Sequence, residues 1–117
     1  REFNGYIRAR DQDQPCICCG RPLGDGDVGG AFDAGHYRST GSASHLRFHE
    51  HNVHAQRKQC NRYGAGRAVD YRIGLISRIG LEAVEALEAQ NVPHKWTREE
   101  LIAIRDTYKK KLKELKA

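Results

Sequence analysis

Histidines gather in the middle of the chain, with five of the six between His36 and His54. His36 differs from the others because it follows Asp33 on a short segment that can form a strand. A neutral imidazole can accept a proton from water near pH 7, and the oxygens of Asp33 and Asn61 are donors of the kind that Mg²⁺ and Mn²⁺ prefer. These residue types suit phosphodiester hydrolysis, which needs a base and a divalent ion. A chance cluster of solvated histidines is the alternative.

Cysteines form a second group with ligand chemistry. Cys16 and Cys19 have the C-x2-C spacing of a zinc knuckle, and Cys60 offers a third thiolate. A second C-x2-C pair would place a cysteine at position 57, where the chain has Arg57. We predict a structural Zn²⁺ site whose fourth ligand the sequence leaves open, the alternative being ordinary reduced thiols. Candidates for the fourth ligand are Cys18, His49 and His54.

Basic residues surround these groups. The chain carries a net charge of +5, and residues 34 to 80 contain eight basic against two acidic side chains. Such a surface suits a polyanion such as DNA, although an acidic protein, a membrane surface or plain solvation would also fit. No segment resembles a membrane span or a signal peptide, which indicates a cytoplasmic protein. The residues that we predict to contact DNA are Arg38, Arg47, Arg57, Lys58, Arg62 and Arg67.

Short strands and later helices must position these side chains. Residues 31–37 and 46–48 predict two strands, and residues 50–62 predict a helix or a tight turn. Apolar spacing predicts helices on both sides of Gly80, and Thr97 with Glu100 forms a capping box that begins a last helix. The pattern predicts an α+β fold.

The domain organisation follows from the same pattern. Residues 1–66 would hold the zinc knuckle and the nuclease core, and residues 67–117 a helical region that packs on the core and is available to contact DNA. The two parts would form one compact unit. Because the chain starts at Arg1 instead of methionine, we expect a fragment of a longer protein.

Several segments, in order, resemble the NinG/Rap family of recombination nucleases from lambdoid phages. The resemblance extends to Lys-Trp-Thr and Glu-Glu-Leu near the last helix, so it covers nearly the whole chain. The segments are Pro-Cys-Ile-Cys-Cys-Gly (15–20), Asp-Ala-Gly-His-Tyr-Arg-Ser (33–39), His-Leu-Arg-Phe (45–48), Asn-Val-His (52–54), Cys-Asn-Arg-Tyr (60–63) and Tyr-Arg-Ile-Gly-Leu (71–75).

This resemblance implies a small ββα-metal (HNH-type) core and an endonuclease that cuts branched DNA such as D-loops and Holliday junctions. It implies that His36 is the general base, Asn61 a ligand of the catalytic Mg²⁺ or Mn²⁺, and Asn52 the residue that braces the intervening loop. Asp33 would be a further ligand, although many HNH enzymes carry that ligand directly before the base, where this chain has Gly35.

The expected partners are branched or single-strand-containing DNA, recombination proteins and a second copy of the chain, in the cytoplasm of the host cell. Two other functions stay open. One is a non-catalytic, zinc-stabilised DNA-binding module, and the other is a domain that docks a recombinase or a single-strand-binding protein through its helices.

Overall fold

A two-stranded antiparallel sheet with helices around it forms the described part of the protein. The computed structural model describes residues 1–23, 32–62 and 67–117, apart from the side chain of Arg62. The predicted α+β class is therefore confirmed. The elements are helix α1 (Glu2–Arg10), strand β1 (Phe32–His36), two 3₁₀ turns (Ser44–Leu46 and Glu50–Asn52), strand β2 (Val53–Arg57), and helices α2 (Lys58–Arg62), α3 (Ala68–Ile79), α4 (Leu81–Ala89) and α5 (Arg98–Lys116).

The register of the sheet places the end of β1 beside the start of β2. Phe32 pairs with Arg57, and His36 pairs with Val53. Helix α2 begins directly after β2, so the two strands and this helix follow one another as a strand–strand–helix unit. The turn that joins the strands contains the two 3₁₀ segments instead of a tight hairpin.

The second strand lies later in the chain than predicted. Residues 46–48 were predicted as a strand, but Leu46 is buried at the end of a 3₁₀ turn. Residues 53–57, predicted as helical or turned, form β2. The reason is that four successive residues of β2 are buried, so the polar–apolar alternation of a half-exposed strand is absent.

The two faces of the sheet are covered by different helices. On one face Val53 packs in a cluster with Phe3 and Ile7 of α1 and Tyr108 of α5. On the other face Tyr71 of α3 donates a hydrogen bond to the carbonyl oxygen of Gly35 at 2.7 Å. The core of the described residues is therefore built on both sides of the sheet.

The predicted helices are present. Gly80 separates α3 from α4, and the capping box of Thr97 and Glu100 begins α5, with both hydrogen bonds formed. Helix α3 lies close to the turn formed by residues 16–20, here called the cysteine turn, because a Cβ atom on Gly74 would lie 1.8 Å from the carbonyl oxygen of Ile17. None of the helices in residues 1–23, 32–62 and 67–117 has the length and apolar character needed to cross a membrane.

Candidate functional site

His36 is the last residue of β1, and its imidazole is oriented by the backbone. Its Nε2 lies 2.9 Å from the carbonyl oxygen of Arg47. Since a carbonyl oxygen only accepts, Nε2 carries the proton and Nδ1 keeps its lone pair. Burial lowers the pKa of His36 below its ordinary value. The ring is therefore neutral near pH 7, with Nδ1 able to accept a proton.

Asn52 braces the loop that carries Arg47. Its side chain is fully buried, and its Nδ2 donates to the carbonyl oxygens of Arg38 at 3.0 Å and Leu46 at 3.2 Å. Its Oδ1 accepts from the backbone N–H of Arg38 at 2.9 Å. A single amide thus fixes both ends of the loop, and with it the carbonyl group that orients His36.

Asp33 and Asn61, the two predicted oxygen donors, lie together. Asn61 Nδ2 is 3.2 Å from Asp33 Oδ2, and Lys58 Nζ is 3.7 Å from Asp33 Oδ1. A carboxylate only accepts, so the amide nitrogen of Asn61 must face Asp33 and its Oδ1 points elsewhere. Side chains alternate along a strand, which sends Asp33 and His36 to opposite faces of β1.

Three cysteines meet beside the sheet. The Sγ atoms of Cys16, Cys19 and Cys60 all lie within 4.8 Å of one another. Tetrahedral zinc, with Zn–S bonds of about 2.3 Å, holds its thiolates about 3.8 Å apart, so a small contraction would suffice. This group could bind a metal such as zinc, and it is the one cluster of three or more His, Cys, Asp or Glu ligands within the described ranges.

The local chain geometry builds this cluster from two segments. The backbone N–H of Cys16 donates to the carbonyl oxygen of Arg21 at 2.8 Å, and that of Gly20 donates to Cys16 at 3.0 Å, which closes a tight turn. Gly20 has a φ of +72°, a conformation that glycine adopts without steric cost. Cys60 lies in α2, which directly follows β2, so the third thiol lies beside the turn because of where the sheet places α2.

The thiols differ in their acidity. A hydrogen bond from Cys18 and one from the backbone N–H of Arg57, at 3.3 Å from Sγ, lower the pKa of Cys16 to about 4 against the opposing effect of burial. Burial raises the pKa of Cys60 to about 11. Cys16 is therefore the thiolate ready to bind a cation.

No candidate for a fourth ligand joins this group in the part of the chain that the structure describes. The Sγ of Cys18 accepts from Gln56 Nε2 at 2.8 Å. His54 is buried on the other face of the sheet, with its ring nearly perpendicular to that of Tyr71. The ring of His49 instead lies tilted beside that of His51, with 5.5 Å between the ring centroids.

The six predicted DNA-contacting residues have different surroundings. The guanidinium of Arg38 donates to the carbonyl oxygens of Leu87 at 3.0 Å and Gln90 at 2.6 Å, so it caps the end of α4. Lys58 contacts Asp33. Arg57 donates a hydrogen bond to the Sγ of Cys19, and this bond raises the pKa of the Arg57 guanidinium. Arg47 and Arg67 are exposed and form no ion pair with the other described residues, and the side chain of Arg62 lies outside them.

Sequence reasoning missed the backbone carbonyl of Arg47, which orients His36. A carbonyl group is present at every residue, so no residue type marks this role. It also missed the contact of Lys58 with Asp33, because the strand that brings the two segments together was assigned as a helix.

These features define a class: a small α+β protein with a strand–strand–helix unit and a three-cysteine group able to hold a metal. Comparison with known proteins places the chain more narrowly. It belongs to the family described as Bacteriophage Lambda NinG protein, whose match covers residues 1–117.

The relatives are phage proteins. The chain is 48% identical over 113 residues to protein ninG of Escherichia phage lambda, 47% identical to that of Escherichia phage 933W and 46% identical to that of Salmonella phage P22. These matches cover 97% of this chain and 53%, 54% and 53% of the relatives, so the chain spans about half of their length. No solved structure matches.

Proposed function

We propose that this chain is the nuclease part of an endonuclease that cuts branched DNA by metal-dependent hydrolysis. The observation that carries the proposal is the hydrogen bond between His36 Nε2 and the carbonyl oxygen of Arg47. It leaves Nδ1 unprotonated and oriented, which is the state that a general base needs before it takes a proton from water. The strand–strand–helix order and the braced loop support an HNH-type arrangement of this base.

Asn61 is the proposed protein ligand of a catalytic Mg²⁺ or Mn²⁺. Because its amide nitrogen is held by Asp33, its Oδ1 is presented away from that carboxylate and toward solvent. Asp33 then acts as a positioning residue, a role that the contact favours over the direct ligation suggested by the sequence. The ion would stabilise the charge that develops on the phosphate and the leaving oxygen.

Selection of branched DNA would rest on shape and charge. Exposed basic side chains such as Arg47 and Arg67 suit phosphate contacts, which fix the position of DNA without reading its sequence. A second copy of the chain is proposed as a further partner, since resolving a junction takes two symmetric cuts. Recombination proteins are proposed as partners as well.

The experiment compares cleavage of a labelled four-way junction, a D-loop and a linear duplex with Mg²⁺ or Mn²⁺. His36→Ala should lower the rate by about 100-fold or more, the usual contribution of a general base. The matched control is His51→Ala, which removes an exposed histidine from the same loop and should cut at the normal rate. Equal cutting by wild type and His36→Ala would refute the assignment of the base.

The ligand assignment is tested in the same assay. Asn61→Ala should raise the Mg²⁺ concentration needed for half-maximal cutting, and Asp33→Asn should do so less strongly. A protein that binds the junction tightly but cuts none of the three substrates would support the alternative, a non-catalytic DNA-binding module. Two observations favour this alternative: Asp33 and His36 lie on opposite faces of β1, and within the described ranges Asp33 belongs to no group of three or more His, Cys, Asp or Glu ligands.

A further inference from the structure

Arg57 stands where a second C-x2-C pair would have its first cysteine, three residues before Cys60. It nevertheless takes part in the cysteine cluster. Its backbone N–H is 3.3 Å from the Sγ of Cys16, and its Nη1 is 3.7 Å from the Sγ of Cys19. One residue thus donates to two of the three thiols.

The charges of this arrangement are complementary. A divalent ion with three thiolates carries a net charge of −1, and the guanidinium of Arg57 brings the sum to zero. Arginine stays protonated and has no acceptor, so it cannot itself ligate a metal. It can, however, donate charge-assisted hydrogen bonds to a coordinated thiolate.

We propose that Arg57 converts the cysteine cluster into a three-thiolate metal centre with an exchangeable fourth position. The ion is bound by Cys16, Cys19 and Cys60, the guanidinium neutralises the centre from outside the coordination sphere, and a water molecule or another small donor completes the tetrahedron. Four-cysteine structural zinc sites are closed, whereas a site with three protein ligands keeps one position open. This inference depends on metal binding by the three cysteines and not on DNA cleavage.

Cobalt(II) provides the test, because its optical spectrum reports the number of thiolate ligands. Co²⁺ is added to the reduced full chain and to the variant Arg57→Cys. The thiolate-to-cobalt absorption of the wild type should be about three-quarters of that of the variant, since three bonds replace four. Imidazole should shift the visible bands of the wild type and leave those of Arg57→Cys unchanged.

Two further variants keep the result interpretable if Arg57→Cys fails to fold. Arg57→Gln should keep the three-thiolate spectrum but bind Co²⁺ about tenfold more weakly, because a charge-assisted hydrogen bond is lost. Cys18→Ser should retain the wild-type spectrum. The proposal is overturned if the wild type binds no Co²⁺, if it absorbs as strongly as Arg57→Cys, or if imidazole leaves its visible bands unchanged. It is also overturned if Arg57→Gln binds Co²⁺ with unchanged affinity, or if Cys18→Ser loses the thiolate band.

Discussion

At the scale of single residues, His54 shows how burial fixes a protonation state. The side chain is 3% exposed and lies near Arg10 and Asp11, which form an ion pair at 2.7 Å. Burial, reinforced by the positive charge of Arg10, lowers the pKa of His54 to about 3. The folded protein therefore holds this imidazole neutral across the physiological range.

This lowered pKa predicts a loss of stability in acid. An unfolded histidine titrates at about 6.5, so between that pH and about 3 the unfolded chain binds a proton at His54 that the folded chain does not. The free energy of unfolding should therefore decrease as the pH falls from 7 to 5. Urea unfolding of wild type and His54→Gln at pH 7, 6 and 5 checks this: the variant should show the shallower pH dependence, and parallel curves would contradict the assignment.

At the scale of elements, the contact of α3 with the cysteine turn depends on Gly74. Its would-be Cβ atom meets the backbone of Ile17, which cannot rotate away as a flexible side chain would. On the same helix Tyr71 and Leu75 pack against Ile17 in a buried cluster. The turn that holds the thiols of Cys16 and Cys19 therefore packs against α3.

Gly74→Ala should lower the free energy of unfolding by about 1–3 kcal/mol, the usual cost of forcing an extra methyl group into a packed contact such as that between α3 and the cysteine turn. The matched control is Gly41→Ala, because a Cβ atom there would meet nothing within 4 Å. The free energy of unfolding from urea titration measures both variants. An unchanged value for Gly74→Ala would mean that α3 and the turn move apart at little cost.

The elements also show where sequence reasoning succeeds. Helices α3, α4 and α5 were predicted because a 3.6-residue apolar period and a capping box are local signals. Strand β2 was missed because burial on both faces removes the alternation, and its polar residues His54 and Gln56 disguise a core strand. The cysteine spacing predicted a group of thiols that could bind a metal, but the contact of Arg57 with Cys19 depends on long-range packing that no local pattern records.

At the scale of the whole molecule, α5 is fixed to the strand-joining loop at two points. Near its start, Trp96 donates from Nε1 to the carbonyl oxygen of Ser44 at 2.8 Å. Further along, Tyr108 and Lys111 each reach a carboxylate oxygen of Glu50 at 2.8 Å. The helix of 19 residues extends about 28 Å, and these contacts hold it against the loop.

The proposed binding to a four-way junction should weaken steeply with salt, because the chain carries a net charge of +5. If Arg47 contacts a phosphate, Arg47→Ala should reduce the slope of log affinity against log salt by about 0.9. Lys116→Ala removes one charge at the far end of α5 and serves as the control, with an expected change well below that value. Fluorescence anisotropy between 50 and 200 mM salt gives the slopes, and equal slopes for Arg47→Ala and wild type would exclude the contact.

The single tryptophan of the chain has a consequence for following the molecule in solution. Trp96 packs edge-to-face on Phe48, with 5.0 Å between ring centroids, and Phe48 in turn packs on Phe3 of α1. Its indole is thereby held at the junction of α5 with the loop whose Arg47 carbonyl orients His36. The intrinsic emission of the protein is therefore a built-in reporter of whether this loop is docked, without any attached dye.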